Sequence, residues 1–143
     1  MKSIFLDTNI WIRVIIKDNE QMFQEAIKIF QAAEQGKIKI LTSGIILLEV
    51  IFVLKRLYKF TKIELQDVIK NILDTRGIRI IDKTDTKVAL EYFLETGIKF
   101  SDCLIASQIP ENAIFCSFDT DFQRFKNLFF MHPKELNTKL KLD

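Results

Sequence analysis

The sequence is poor in the residues that several kinds of chemistry require. Its 143 residues include one histidine, two cysteines, two prolines and four glycines. No zinc-ligand spacing, Gly-rich phosphate loop or Ser-His-Asp pattern is present. The single histidine, His132, reads as a surface or packing residue. Cys103 and Cys116 stand far apart, form no CxxC, and read as buried free thiols of a reducing compartment. So little glycine and proline excludes flexible linkers and low-complexity tails, and there is no internal repeat. One domain, 1–143, with one core is expected. The net charge is only +2, which neither demands nor forbids nucleic acid. The longest apolar stretch, residues 45–54, is too short to span a bilayer and contains Glu49. Met1-Lys2-Ser3-Ile4 lacks the apolar core of a secretory signal. A cytoplasmic protein with no membrane contact is expected.

What is present is an ordinary globular mixture, 48% hydrophobic and 28% charged. Ile4-Phe5-Leu6 reads as a short strand buried on both faces. It stops at Asp7-Thr8-Asn9, and a helix follows over residues 9–17. Asp18-Asn19 breaks that helix. Phe23, Ala26, Ile27, Phe30 and Ala33 then recur at helical spacing until Gly36. Residues 38–41 form a second strand, and Thr42-Ser43 a turn with capping character. A third helix runs from about 44 to 58; it is apolar nearly all round and is expected to be buried. Thr61-Lys62-Ile63-Glu64 has the form of a capping box and opens a fourth helix. Its inner stripe is Leu65, Val68, Ile69 and Ile72.

Residues 78–81 read as a third strand. The next helix starts at Thr84 or Asp85, turns Val88, Ala89, Tyr92 and Phe93 inward, and stops at Gly97. Ser101-Asp102 opens another that ends before Pro110. Residues 113–116 and 128–131 read as a fourth and a fifth strand, and 133–140 as a last, weak helix. Short strands alternating with helices mean an α/β fold, a parallel sheet of four to five strands covered on both faces.

Four carboxylates have addresses that invite chemistry. Asp7 lies at the carboxyl end of the first strand, where ligands bind in open parallel sheets. Capping of the next helix is the simpler account of it. Glu49 sits among Ile46, Leu47, Leu48, Val50, Ile51, Phe52 and Val53. A carboxylate there must be paired or line a cavity. Asp102 near a helix start and Asp119 after the fourth strand each have an innocent explanation as a favourable helix-end charge or a turn cap. All four, with Asp121 close by, can converge on one rim. At roughly 5 Å and an effective dielectric near 20, each ionised pair would cost about 3 kcal/mol. A divalent cation relieves that cost, and all-oxygen ligands favour Mg²⁺ or Mn²⁺ over Zn²⁺.

Four segments in order carry a resemblance: Phe5-Leu6-Asp7-Thr8-Asn9, Thr42-Ser43 through Leu48-Glu49-Val50, Phe100-Ser101-Asp102-Cys103-Leu104-Ile105-Ala106, and Ser117-Phe118-Asp119-Thr120-Asp121-Phe122. Together the chain resembles the PIN-domain nucleases, and in size and order the toxin ribonucleases of VapC type. The resemblance implies a three-layer α/β/α fold and an endoribonuclease that cleaves RNA with Mg²⁺ or Mn²⁺, leaving 5′-phosphate and 3′-hydroxyl ends. Asp7, Glu49, Asp102 and Asp119 would be its acidic quartet. Thr8, Asn9 and Ser117 would support it by hydrogen bonds, and either Asp119 or Asp121 would touch metal. A homodimer and an antitoxin partner are implied as well. Lys55, Arg56, Lys59, Arg13 and Lys17 are candidates for RNA backbone contacts, although each also reads as ordinary solvated charge.

Three other readings compete. One is a PIN-type nuclease with a housekeeping role in RNA processing or on DNA flaps; the compact size argues against flaps. A second is a phosphotransfer enzyme using Asp7 as nucleophile, but that chemistry wants an Asp where Asn9 stands. The third is a non-catalytic RNA- or protein-binding module with a vestigial acidic pocket. Retention of four mutually repelling acids argues against it.

Overall fold

The computed structural model describes residues 1–141. In chain order the elements are β1 (Lys2–Leu6), α1 (Thr8–Ile16), α2 (Glu20–Glu34), β2 (Ile38–Ser43), α3 (Gly44–Leu57), α4 (Lys62–Leu73), β3 (Arg79–Ile81), α5 (Thr86–Thr96), α6 (Phe100–Gln108), β4 (Ile114–Cys116), a 3-10 turn (Thr120–Arg124), β5 (Phe130–Met131) and α7 (Pro133–Lys139). The sheet order is β3-β2-β1-β4-β5 and every pairing is parallel. The chain steps one way from β1 to β2 to β3, then crosses back through α5 and α6 to β4. Right-handed crossovers of opposite sense put their helices on opposite faces, which gives three layers. Among the described residues no helix is long and apolar enough to cross a membrane.

The helix ends follow the polar residues that precede them. Asn19 accepts from the Met22 amide, Asp85 from Val88, and Thr61 and Glu64 form the expected reciprocal capping box. Gly97 closes α5 at φ +66°, a conformation glycine adopts without steric cost. His132 caps α7 by accepting from the Lys134 amide at 3.1 Å, and its ring meets Phe118 edge-on. Cys103 and Cys116 are buried and free, as expected.

The core lies along the central strands. Ile4, Phe5, Leu6, Ile40 and Phe115 are fully buried. Phe115 packs against Phe5, Phe122 and Phe130, which joins β1, β4, β5 and the 3-10 turn in one aromatic cluster.

Helix α3 departs from expectation. Only the stripe Ile46, Val50 and Leu54 is buried, facing β2 and α1. Leu48, Phe52 and Leu57 are 69%, 60% and 69% exposed. An all-round apolar helix is buried only if neighbours surround it. Here β2, α1 and α4 cover part of the circumference, and the remaining face is left to solvent. Phe93 is likewise exposed rather than inward, and leans edge-on against Phe100.

Phe115→Ala is expected to destabilise the protein by about 3–5 kcal/mol, since it empties the centre of the aromatic cluster. Leu94→Ala, at a site 76% exposed, should change stability by less than about 0.5 kcal/mol. Urea titrations of the two variants check the placement of the core.

Candidate active site

β1 and β4 are neighbours in the sheet, and the chain leaves them in opposite directions across it. That makes their carboxyl ends the switch point at which open α/β sheets form a crevice. The Asp7 amide donates to the Cys116 carbonyl at 3.0 Å, which carries the ladder one residue beyond β1. Asp7 and Ser117 therefore leave the sheet side by side.

A short network follows. Asp7 Oδ1 accepts from the Thr8 amide at 2.8 Å, and Oδ2 from the Ser117 hydroxyl at 2.7 Å. Ser117 Oγ accepts from Asn9 Nδ2 at 3.0 Å and from the Asp119 amide at 2.9 Å. Both its lone pairs are then used, so its single proton is committed to Asp7. Asn9 Oδ1 accepts from the Phe118 amide at 3.2 Å, which fixes the orientation of its side-chain amide. Asp119 Oδ1 accepts from the Asp121 amide at 2.9 Å and caps the 3-10 turn. Asp7 is thus a helix cap and a pocket carboxylate at once.

The pocket above this network encloses about 290 Å³. Asp7, Glu49, Asp102 and Asp119 all line it, together with Thr8 and Asn9. Ser117 is buried beneath them. Asp121 is exposed, two residues beyond Asp119, and is not part of the wall. Glu49 reaches the pocket because 49, 53 and 57 share one face of α3, and Val53 and Leu57 line the same wall. Asp102 arrives in the first turn of α6, which opens at Phe100, one residue earlier than expected.

The electrostatics are those of crowded, partly dry acids. Burial pushes the Asp7 carboxyl up to about 7, against the pull of its Ser117 and Thr8 hydrogen bonds, with Asp102 and Glu49 adding to the rise. Glu49 is raised by burial and then by Asp102. Asp102 is raised by burial, with Asp119 and Asp121 contributing. Lys99 opposes the rise at both Glu49 and Asp102. Sequence reasoning missed Lys99 and also Tyr58, which lines the pocket. For Lys99 the available signal was its place three residues before Asp102 at a helix start. Tyr58 had none.

The wall suits an oxygen-liking cation. Glu49 Oε1 and Thr8 Oγ1 are buried and have no hydrogen-bond partner, although both residues line the pocket. Such orphaned oxygens are costly unless something else satisfies them. The donor set is carboxylate and hydroxyl, without sulfur or imidazole. Among the described residues no three acidic, histidine or cysteine side chains form a ready cage. Mg²⁺ does not require one, because it keeps several waters and takes one or two carboxylates.

A family model described as the PIN domain matches residues 4–128. The chain belongs to the PIN-domain family. The family anticipated from the four motifs is the family found. Among solved structures, VapBC2 from Rickettsia felis, bound to a DNA fragment from its promoter, aligns at TM-score 0.63 and 25% identity, covering 91% of this chain and 98% of that one. FitAcB from Neisseria gonorrhoeae aligns at TM-score 0.63 and 16% identity, covering 92% and 98%. PAE2754 from Pyrobaculum aerophilum aligns at TM-score 0.64 and 12% identity, covering 99% and 98%. The last two show likeness of fold alone. No curated protein matches the sequence.

The raised acids fix the sign of the pH dependence. Asp7 titrates near 3.8 when unfolded and about 7 when folded. Its stabilising effect is complete below the lower value, is lost as pH rises through the interval, and is absent above 7. The loss is about 4 kcal/mol. In EDTA, stability should therefore fall between pH 4 and 7 and level off beyond. Glu49→Gln should raise the melting temperature in EDTA at neutral pH and shrink the stabilisation that added Mn²⁺ gives. A large drop in EDTA with an unchanged Mn²⁺ response would remove Glu49 from the site.

Proposed function

We propose that the protein is a metal-dependent endoribonuclease, the toxin of a toxin–antitoxin pair. The observation that carries this is the convergence of Asp7, Glu49, Asp102 and Asp119, from four separate parts of the chain, on one pocket at the switch point. PIN-domain proteins are nucleases, and the acid set is the one this chemistry needs.

Asp7 would hold Mg²⁺ or Mn²⁺ most firmly, because both of its oxygens are fixed by hydrogen bonds and each keeps a lone pair. Asp102, Glu49 and Asp119 would complete the oxygen set across the pocket. A bound ion would activate a water for attack on phosphorus and neutralise charge on the phosphate. The chain itself supplies no histidine base at the pocket. Its own contribution is to bring the acids to one pocket, with Ser117 and, through it, Asn9 holding the Asp7 rotamer. The charge-rich rim then receives a polyanion only when the acids are offset, which ties RNA binding to metal binding. The toxin reading draws on the VapC-type motif order and on the VapBC2 likeness. The exposed apolar residues Leu48 and Phe52 of α3, with a groove of about 710 Å³ between α3 and α4, fit a partner protein that covers them.

Purified protein is expected to cut single-stranded RNA with Mg²⁺ or Mn²⁺ and to stop in EDTA. Asp7→Asn and Asp102→Asn should each lower the rate by a factor on the order of 100 or more while the far-UV spectrum stays unchanged. Full activity in either variant rules that residue out of the site. Expression alone should arrest growth, and co-expression of the adjacent small gene should relieve it. Activity in vitro without growth arrest favours a housekeeping RNA-processing role.

A further inference from the structure

Among the described residues that line the acidic pocket Arg13 is the one cation, Lys99 acting on Glu49 and Asp102 from outside that lining. It comes from α1, on the same face as Thr8, Asn9 and Ile12, which also line the pocket. It shares that wall with the four carboxylates, and among the described residues it pairs with none of them. Its Nη1 pairs instead with Asp18 Oδ1 at 2.8 Å, outside the pocket. The second Asp18 oxygen accepts from the Tyr58 hydroxyl at 3.3 Å. Lys17, at φ +59°, ends α1 and turns the chain so that Asp18 follows directly. Tyr58 stands just past the end of α3, the helix that carries Glu49. The triangle therefore pins together the ends of the two helices that flank the pocket.

An ion pair with partners 29% and 45% exposed contributes little to stability, so the tether needs another explanation. Arginine carries five N–H donors, and the carboxylate of Asp18 leaves several of them free.

We infer that Arg13 binds a backbone phosphate next to the scissile one, and that Asp18 and Tyr58 are positioning residues that hold its guanidinium off the pocket acids. Untethered, the guanidinium would swing onto Asp7, Glu49, Asp102 or Asp119 and compete with the cation. Tethered, it offers its free N–H donors to the substrate. The inference rests on the nuclease reading and names how that same site grips its polyanionic substrate.

The test is steady-state cleavage of a fluorogenic single-stranded RNA with Mn²⁺ over a series of KCl concentrations, with melting temperature as a control. Arg13→Gln should raise KM by roughly tenfold to a hundredfold. Its kcat should change by less than about threefold, as for loss of binding shared by ground and transition states. The slope of log(kcat/KM) against log[KCl] should become shallower by about 0.7, the signature of one lost phosphate contact. Arg13→Lys should restore the slope but only part of the KM, because the bidentate fork is gone. Asp18→Asn should raise KM in the wild-type background and add nothing in the Arg13→Gln background. A purely structural role would lower the melting temperature without moving the slope. If wild type cleaves RNA and Arg13→Gln keeps its KM and slope, the inference fails alone. If Arg13→Gln does not fold, unchanged KM in both Arg13→Lys and Asp18→Asn overturns it. If wild type cleaves no RNA with either metal, the nuclease reading and the inference fall together.

Discussion

The bond from the Ser117 hydroxyl to Asp7 is the contact on which the pocket depends. It joins the ends of two strands that lie far apart in the chain and side by side in the sheet. Its direction is forced, since Ser117 Oγ already accepts from Asn9 and Asp119. One hydroxyl proton thus fixes the Asp7 carboxylate, and the same oxygen orders the turn that carries Asp119. Replacing the hydroxyl would leave the Asn9 and Asp119 donors without this partner in a part-buried place, where water takes up some of the cost. The sheet supplies the position, and this bond supplies the aim.

Much of this was legible in the sequence, for a reason that can be stated. A strand tip fixes the direction of the residue that follows it, so Asp7 and Asp119 could be placed from the strands alone. The quartet as a set, with Thr8, Asn9 and Ser117 in support, came only from the resemblance of the four motifs to the PIN-domain nucleases; no apolar pattern singles out those three polar residues. Glu49 was legible from its surroundings: a carboxylate in an apolar helix needs a pocket or a partner, and it lines the pocket. The Thr61–Glu64 capping box and the five strands followed from local chemistry in the same way.

What was not legible was long-range. Composition says that α3 is apolar, but not how much of its circumference other elements cover; Leu48 and Phe52 lie on the uncovered part, and Leu57 is exposed at the helix end on the pocket side. Phe93 was misplaced for the same reason. Tyr58 and Asp18 meet across 40 residues, and Lys99 acts on Glu49 from the residue that precedes α6. Such meetings depend on crossing angles and rotamers that no periodicity encodes. Asp121 is the converse case. Its two-residue spacing from Asp119 left either acid able to face inward; both are exposed, Asp119 caps the 3-10 turn and lines the pocket, and Asp121 lies outside the lining while still adding to the rise at Asp102.

The same physics explains why the pocket sits where it does. Acids whose pKa is raised by burial and then by one another, as at Asp7, Glu49 and Asp102, oppose folding when ionised, so they must be held by parts of the chain that are stable for other reasons. Asp7 follows a strand whose last three residues are fully buried, and Ser117 follows β4, which holds Phe115 at the centre of the aromatic cluster. Glu49 immediately precedes Val50, one of the buried stripe residues of α3. Each carboxylate is thus one residue away from, or one turn along from, a side chain whose burial outweighs the repulsion. That arrangement puts the electrostatic cost at the rim of the sheet, where a cation can cancel it, and keeps it out of the core, where nothing could. The α3 helix carries both roles, with its buried stripe on the sheet, Glu49 in the pocket and an apolar face still open. A partner that covers that face would therefore sit on the helix that holds one of the pocket acids.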